Sequence, residues 1–183
     1  MNPCRGEKRE RPDLTTTVLR DARELRVPSS APPRTEAIGA LLGRRLQPGD
    51  VICLSGTLGA GKTVFSRGIG KGWGALPDLT SPTYNLAHMH RRARDEGRLA
   101  HIDLYRISGT SEADTLGLDD LLDGEHIVIM EWPERIREAL PPAHLWINFE
   151  LADAEGRELV LRAQGSRFTA LMDALQRDLE TSG

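Results

Sequence analysis

Residues 51–63 read Val51-Ile52-Cys53-Leu54-Ser55-Gly56-Thr57-Leu58-Gly59-Ala60-Gly61-Lys62-Thr63. The run Val51 to Leu54 is apolar without alternation, the pattern of a strand buried on both faces, as in a parallel sheet. From Gly56 to Thr63 the residues fit G-x-x-x-x-G-K-[ST]. In such a loop glycines allow conformations closed to other residues, so successive backbone N–H groups point inward at a phosphate. A helix is predicted from about Lys62 to Trp73, and its positive N-terminal end adds to that attraction. Strand, glycine-rich loop and helix in this order predict an α/β chain with a P-loop NTPase fold, its buried strand set in a parallel region of a central sheet flanked by helices. Gly56, Thr57, Leu58, Gly59, Ala60 and Gly61 form the cradle, Lys62 bridges the β- and γ-phosphates, and the Thr63 hydroxyl ligates Mg²⁺.

A P-loop also needs a carboxylate at the C-terminal end of a neighbouring strand. Glu131 ends the apolar run Ile127-Val128-Ile129-Met130, and Asp103 sits in His101-Ile102-Asp103-Leu104-Tyr105-Arg106. Either could reach the metal from a strand's carboxyl edge; the bland alternative is a surface carboxylate paired with Arg106 or Arg135. Trp132, next to Glu131, lines the nucleotide site or a partner surface, or is simple core. The hydroxyl-rich Thr80-Ser81-Pro82-Thr83-Tyr84 stands where P-loop proteins carry the segment that senses the γ-phosphate, with an ordinary proline turn as the alternative. His88, His90 and His101 alternate on candidate strands, but no cysteine or carboxylate framework accompanies them, so zinc is not predicted. Lys8, Lys62 and Lys71 are the only lysines, which leaves no Asn/Thr-Lys-x-Asp guanine reader and favours ATP over GTP.

Around this centre, a short strand is predicted within Val18 to Val27, then a Ser-Ser-Ala-Pro-Pro turn and a helix starting near Thr35 with Ile38, Leu41, Leu42 and Leu46 at helical spacing. Tyr84 to His90 and Leu99 to Tyr105 flank the stretch RRARDEGR as a hairpin. Short helical turns are expected at Leu116 to Leu122, a second hairpin at Leu145 to Leu151 and Glu158 to Ala163, and a closing amphipathic helix through Phe168, Leu171, Met172, Leu175 and Leu179, capped by Ser166.

The chain has 183 residues, enough for one domain with a proper core. Residues 1–17 are charged and aperiodic, a tail expected to stay loose, and 18–183 are expected to form the domain. A net charge of −3 excludes a general polyanion binder, whose affinity comes from many basic phosphate contacts. The two cysteines, Cys4 in the tail and Cys53 in the apolar strand, give no disulfide framework. No apolar stretch approaches a membrane span and no signal peptide is evident, so the cytoplasm is the expected location.

Together the ordered set GTLGAGKT, SPTY, HIDLYR and IVIMEWPER resembles the TsaE (YjeE) family of bacterial ATPases, which assist threonylcarbamoylation of adenosine 37 in tRNAs reading codons that begin with A. The resemblance spans about residues 30–165. It implies a mixed-sheet P-loop fold, ATP and Mg²⁺, and partnership with the TsaD and TsaB subunits that perform the transfer, tRNA being met through that complex, with neither DNA nor membrane involved. By the same resemblance, Gly56 to Thr63 bind phosphates, Thr63 and Glu131 hold Mg²⁺, and Asp103 is a second essential carboxylate that also serves the metal. Lys62, Asp103, Glu131 and Thr83 are then the catalytic set, with Ser81 and Thr83 in the switch segment. Thr35, opening Thr-x-x-x-Gly to Gly39, lies near the base, and Trp132 lies beside the metal-bearing strand end. Gly156-Arg157-Glu158 resembles the family's late hairpin turn. Thr57 departs from the pattern, since the family usually carries an acidic residue there. Other readings of the same loop are a small-molecule or nucleotide kinase, disfavoured because no arginine-rich lid is present, and an ATP-dependent scaffold without useful turnover.

Overall fold

The structure, a computed structural model, describes residues 19–20, 24–80, 87–109, 112, 117–152 and 156–181. The strands are β1 (Leu19–Arg20), β2 (Glu24–Ser29), β3 (Val51–Gly56), β4 (Ala75–Leu76), β5 (Ala87–Arg92), β6 (Asp95–Asp103), β7 (Ile127–Glu131), β8 (His144–Leu151) and β9 (Arg157–Gln164). The helices are α1 (Pro32–Gly43), α2 (Lys62–Trp73), α3 (Leu118–Leu121) and α4 (Ser166–Thr181), with a 3-10 helix over Pro133–Ala139. Among the described residues the strands form one sheet in the order β1-β2-β9-β8-β3-β7-β6-β5-β4. The centre is parallel: β3 lies between β7 and β8, and β7 pairs with β6. Both flanks are antiparallel, with β8–β9 and β9–β2 on one side and β6–β5 and β5–β4 on the other. The predicted P-loop architecture is what forms.

The unbroken apolar run at β3 is explained by its central place. Ile52 and Leu54 join the larger core beneath α1, α2 and α4, whereas Val51 and Cys53 join a second core with Val128, Met130 and Ile136 on the opposite face. Cys53 is fully buried, and that burial pushes its thiol far above the usual range, so it packs as an inert apolar group.

Helix α1 crosses α2 with unusually close backbones. A Cβ at Gly39 or Gly43 would overlap the carbonyl oxygen of Phe65 or Ile69, and one at Gly68 or Gly72 would overlap that of Glu36 or Ala40. Each helix thus inserts glycines into the other, and a Lys71–Glu36 ion pair of 2.9 Å spans the same seam. The crossing carries the start of α1 to the glycine-rich loop. A methyl group at Gly61 would sit 3.8 Å from Thr35 Cγ2.

Several boundaries differ from the sequence expectation. The first flank strand runs on to Ser29, and α1 begins at Pro32, because prolines in a first helical turn forfeit only N–H groups that have no helical partner. The arginine-rich stretch is the end of the first hairpin rather than a loop between its arms. Arg92 pairs with Asp95 at 2.6 Å and lays its guanidinium 4.5 Å from the Trp73 ring centroid, which draws both strands out to the turn. Tyr84 and Leu116 lie outside the described residues. Helix α4 starts at Ser166 itself, and the carbonyl of Gly165 accepts its first bond, from the Thr169 N–H, so glycine occupies the capping place expected of serine. No helix among the described residues is long and apolar enough to cross a membrane.

Candidate functional site

Where β3 ends, the chain turns through Gly56, Gly59 and Gly61 at φ of 147°, 76° and 110°, values L side chains rarely adopt. The Gly61 carbonyl then accepts the Phe65 N–H at 2.9 Å and α2 begins, so the loop and the helix N-terminus make one continuous run of backbone, within which the Ala60 N–H donates to the Thr57 carbonyl at 3.2 Å. Ala60 is buried beneath this run and Leu58 stands out from it.

Lys62 is 4% exposed and folds back on the loop that precedes it. Its Nζ donates to the carbonyls of Gly56 at 2.6 Å and Thr57 at 2.9 Å and lies 3.8 Å from the centroid of the Trp132 ring. Burial draws the amine below its ordinary range, against the pull of Glu131, Glu134 and Asp103.

The parallel registers place the acids. Leu54 of β3 faces Glu131 of β7, which in turn faces Asp103 of β6, so both carboxylates reach the C-terminal edge beside the loop. Neither is paired with Arg106 or Arg135 among the described residues. Glu131 is 3% exposed, and its Oε2 accepts the Thr63 hydroxyl at 3.2 Å. Its Oε1 meets Ser66 Oγ at 3.4 Å and His101 Nε2 at 3.0 Å. Asp103 Oδ1 accepts the Tyr105 N–H at 3.0 Å. Burial pushes the Asp103 carboxyl up from its usual range and the nearby Glu131 charge adds to the rise, despite that hydrogen bond.

Trp132 follows Glu131 at φ 63°, a left-handed conformation rare for a bulky residue, held by its N–H donating to the Leu54 carbonyl at 3.1 Å. That turn points the ring back over Lys62, with the Tyr105 ring centroid 5.0 Å away. Trp132 therefore belongs to the site wall.

Lys62, Thr63, Glu131, Asp103 and Trp132 thus converge at one sheet edge. Thr63 and the two acids offer only hard oxygen donors. They fit Mg²⁺, which is held by one or two carboxylates and completes its shell with phosphate and water. Thr35 stands on the other side of the loop, 2% exposed, its hydroxyl hydrogen-bonded to Ser29 Oγ at 2.7 Å. Ser81 and Thr83 lie outside the described residues.

Three neighbours escaped sequence reasoning. His101, expected to lack a carboxylate framework, is fully buried against Glu131. Ser66 joins it from α2. Arg157, at the start of β9, donates from Nη2 to the Gly59 carbonyl at 3.3 Å. The only advance signal for His101 was its spacing of two from Asp103, which puts both on one face of a strand.

Comparison with known proteins points to one family. The family model described as "Threonylcarbamoyl adenosine biosynthesis protein TsaE" matches residues 29–159. The tRNA threonylcarbamoyladenosine biosynthesis protein TsaE of Bacillus subtilis is 36% identical over 148 residues, 80% of this chain and 90% of that protein. The protein of the same description in Mycobacterium tuberculosis is 40% identical over 127 residues, 64% of this chain and 76% of its own length. The crystal structure of Bacillus subtilis YdiB superposes with a TM-score of 0.71 at 31% identity, covering 90% of this chain and 99% of that one.

Proposed function

The chain belongs to the TsaE family, and on that premise we propose that it is a Mg²⁺-dependent P-loop ATPase serving N6-threonylcarbamoylation of adenosine 37 in tRNAs that read codons beginning with A. It acts in the cytoplasm with the TsaD and TsaB subunits, and meets tRNA through their complex. Residues 18–183 are the ATPase domain and 1–17 its tail. The observation that carries the reading is the Thr63 hydroxyl set 3.2 Å from Glu131 Oε2, at the mouth of a glycine loop lying between a buried strand and a helix. A chance loop match has no reason to meet a buried acid from a strand so distant in sequence.

The backbone N–H groups of Gly59, Gly61, Lys62 and Thr63 and the Lys62 amine hold the phosphates. Mg²⁺, held by Thr63 and Glu131 with Asp103 beside them, would neutralise the charge that builds on the β- and γ-phosphates. Asp103 has one oxygen occupied by the Tyr105 N–H, so Oδ2 is the atom left to orient water and take its proton. A carboxylate whose affinity for protons is raised by burial suits that work.

Asp103→Asn should therefore keep ATP affinity within a few-fold while phosphate release falls about 10²–10⁴-fold. The variant should melt no lower than its parent at pH 7. A carboxyl raised in the folded protein costs stability while ionised, and that cost fades as pH falls below the carboxylate range, so any gain from asparagine should fade with it. In cells depending on this protein the variant should leave adenosine 37 without its threonylcarbamoyl group, read by mass spectrometry of tRNA nucleosides. Normal modification in a strain lacking the protein would remove the tRNA role, and normal modification with the asparagine variant would favour a scaffold over an ATPase.

A further inference from the structure

The two oxygens of Glu131 have different company. Oε1 is bonded by His101 of β6 and Ser66 of α2, both fully buried, whereas Oε2 faces the hydroxyl of Thr63 at the phosphate loop. A glutamate ending a strand has three side-chain rotors, and a buried carboxylate free to turn would spend time with its charge unmatched. The pattern fixes one oxygen and offers the other.

His101 carries the stronger part of this clamp. Its Nδ1 is buried without a partner among the described residues. With the ring hydrogen on Nε2, Nδ1 keeps a lone pair and no donor is stranded, and the Nε2–H points along the 3.0 Å contact to Oε1. Among the described residues the ring's one hydrogen bond is to Glu131, and that bond explains an imidazole where Leu99, one alternation earlier on the same face of β6, is plain core. Asp103 follows one alternation later, in register with Glu131 itself. One strand therefore sets both acids of the site, supplying the second directly and holding the first through an imidazole.

We propose that His101 is a positioning residue that clamps Glu131 Oε1 so that Oε2 is presented, with Thr63, to the cation. This rests on the Mg-nucleotide reading above. Partners that orient a metal-binding carboxylate typically govern metal affinity by about 10–100-fold.

The test is binding of ADP by the full chain, followed by calorimetry in EDTA and across a magnesium chloride titration. His101→Leu removes the donor, and should raise the Mg²⁺ concentration at half-effect about 10–100-fold while affinity in EDTA stays within two-fold of the parent. His101→Gln, whose amide N–H reaches the same place, should return the midpoint to within about three-fold of the parent, a rescue that a merely space-filling histidine would not require. Should the leucine chain fail to fold, His101→Asn, whose shorter amide stops short of Oε1, replaces it with the same expected rise. A folded leucine or asparagine variant with the parental midpoint overturns the clamp, as does a folded glutamine variant no better than either. A parent chain whose ADP binding ignores Mg²⁺ would instead overturn the metal-nucleotide reading on which the clamp depends.

Discussion

Gly68→Ala is expected to lower the melting temperature by about 5–15 °C, corresponding to roughly 2–4 kcal/mol of stability. The sign is the informative part, because alanine inside a helix normally gains about 1 kcal/mol over glycine. Here the added methyl meets the backbone carbonyl of Glu36 on the crossing helix, together with its carbonyl carbon at 2.9 Å, and neither can rotate away. Relief requires α1 and α2 to part, which loosens the packing of Ile38, Leu42, Phe65 and Ile69 between them. Parting the helices also draws Thr35 from Gly61, so nucleotide affinity should fall together with stability. Gly109→Ala is the control: among the described residues nothing stands within 4 Å of its Cβ position, and the change should stay within about 0.5 kcal/mol. Thermal melts of both variants decide the matter; an unchanged Gly68→Ala melt would mean that the seam yields without cost.

Lys62→Ala should weaken ATP binding at least 100-fold, roughly 3 kcal/mol, the size of a lost charge-assisted contact to phosphate. The fold should survive, though not because the side chain is idle. Removing the amine strands the carbonyls of Gly56 and Thr57, at about 1–2 kcal/mol, but also removes a cation whose desolvation the folded chain must bear. These effects oppose one another, so the melt should shift by only a few degrees. Calorimetric titration with ATP checks the affinity, and parental binding would remove the phosphate-loop assignment.

The parts legible in the sequence were those encoded by near neighbours. Val51 to Leu54 named the buried strand, the glycines before Lys62 named the loop, and Ile127 to Met130 named the strand carrying Glu131. Asp103 and Trp132 stood as candidates beside that strand end, and the resemblance across four short motifs then chose among their alternatives. What stayed hidden depends on registers between distant segments. His101 and Ser66 lie 30 and 65 residues from the carboxylate they hold, and nothing local to either announces it. The purpose of the glycines of α2 is visible only once α1 is laid across them. The depth of Lys62 escaped for the same reason, since it is Trp132, turned back by its left-handed backbone, that covers the amine.

The central place of β3 has a consequence for how the protein is made. The loop it carries leaves the ribosome before β7, and Thr63 waits 68 residues for Glu131, about 3–14 s at ordinary elongation rates. Strand β2 waits longer still, since Arg26 and its partner Glu158 stand 132 residues apart. Until β7, β8 and β9 emerge, the nascent chain carries apolar strands with bare edges that invite pairing with other chains. The sheet edge that carries Thr63 and Glu131 therefore cannot close until β7 has followed β3. A chain cut before β8 would hold every residue named in the phosphate loop and both acids, and still lack the strand that walls β3 on its other side.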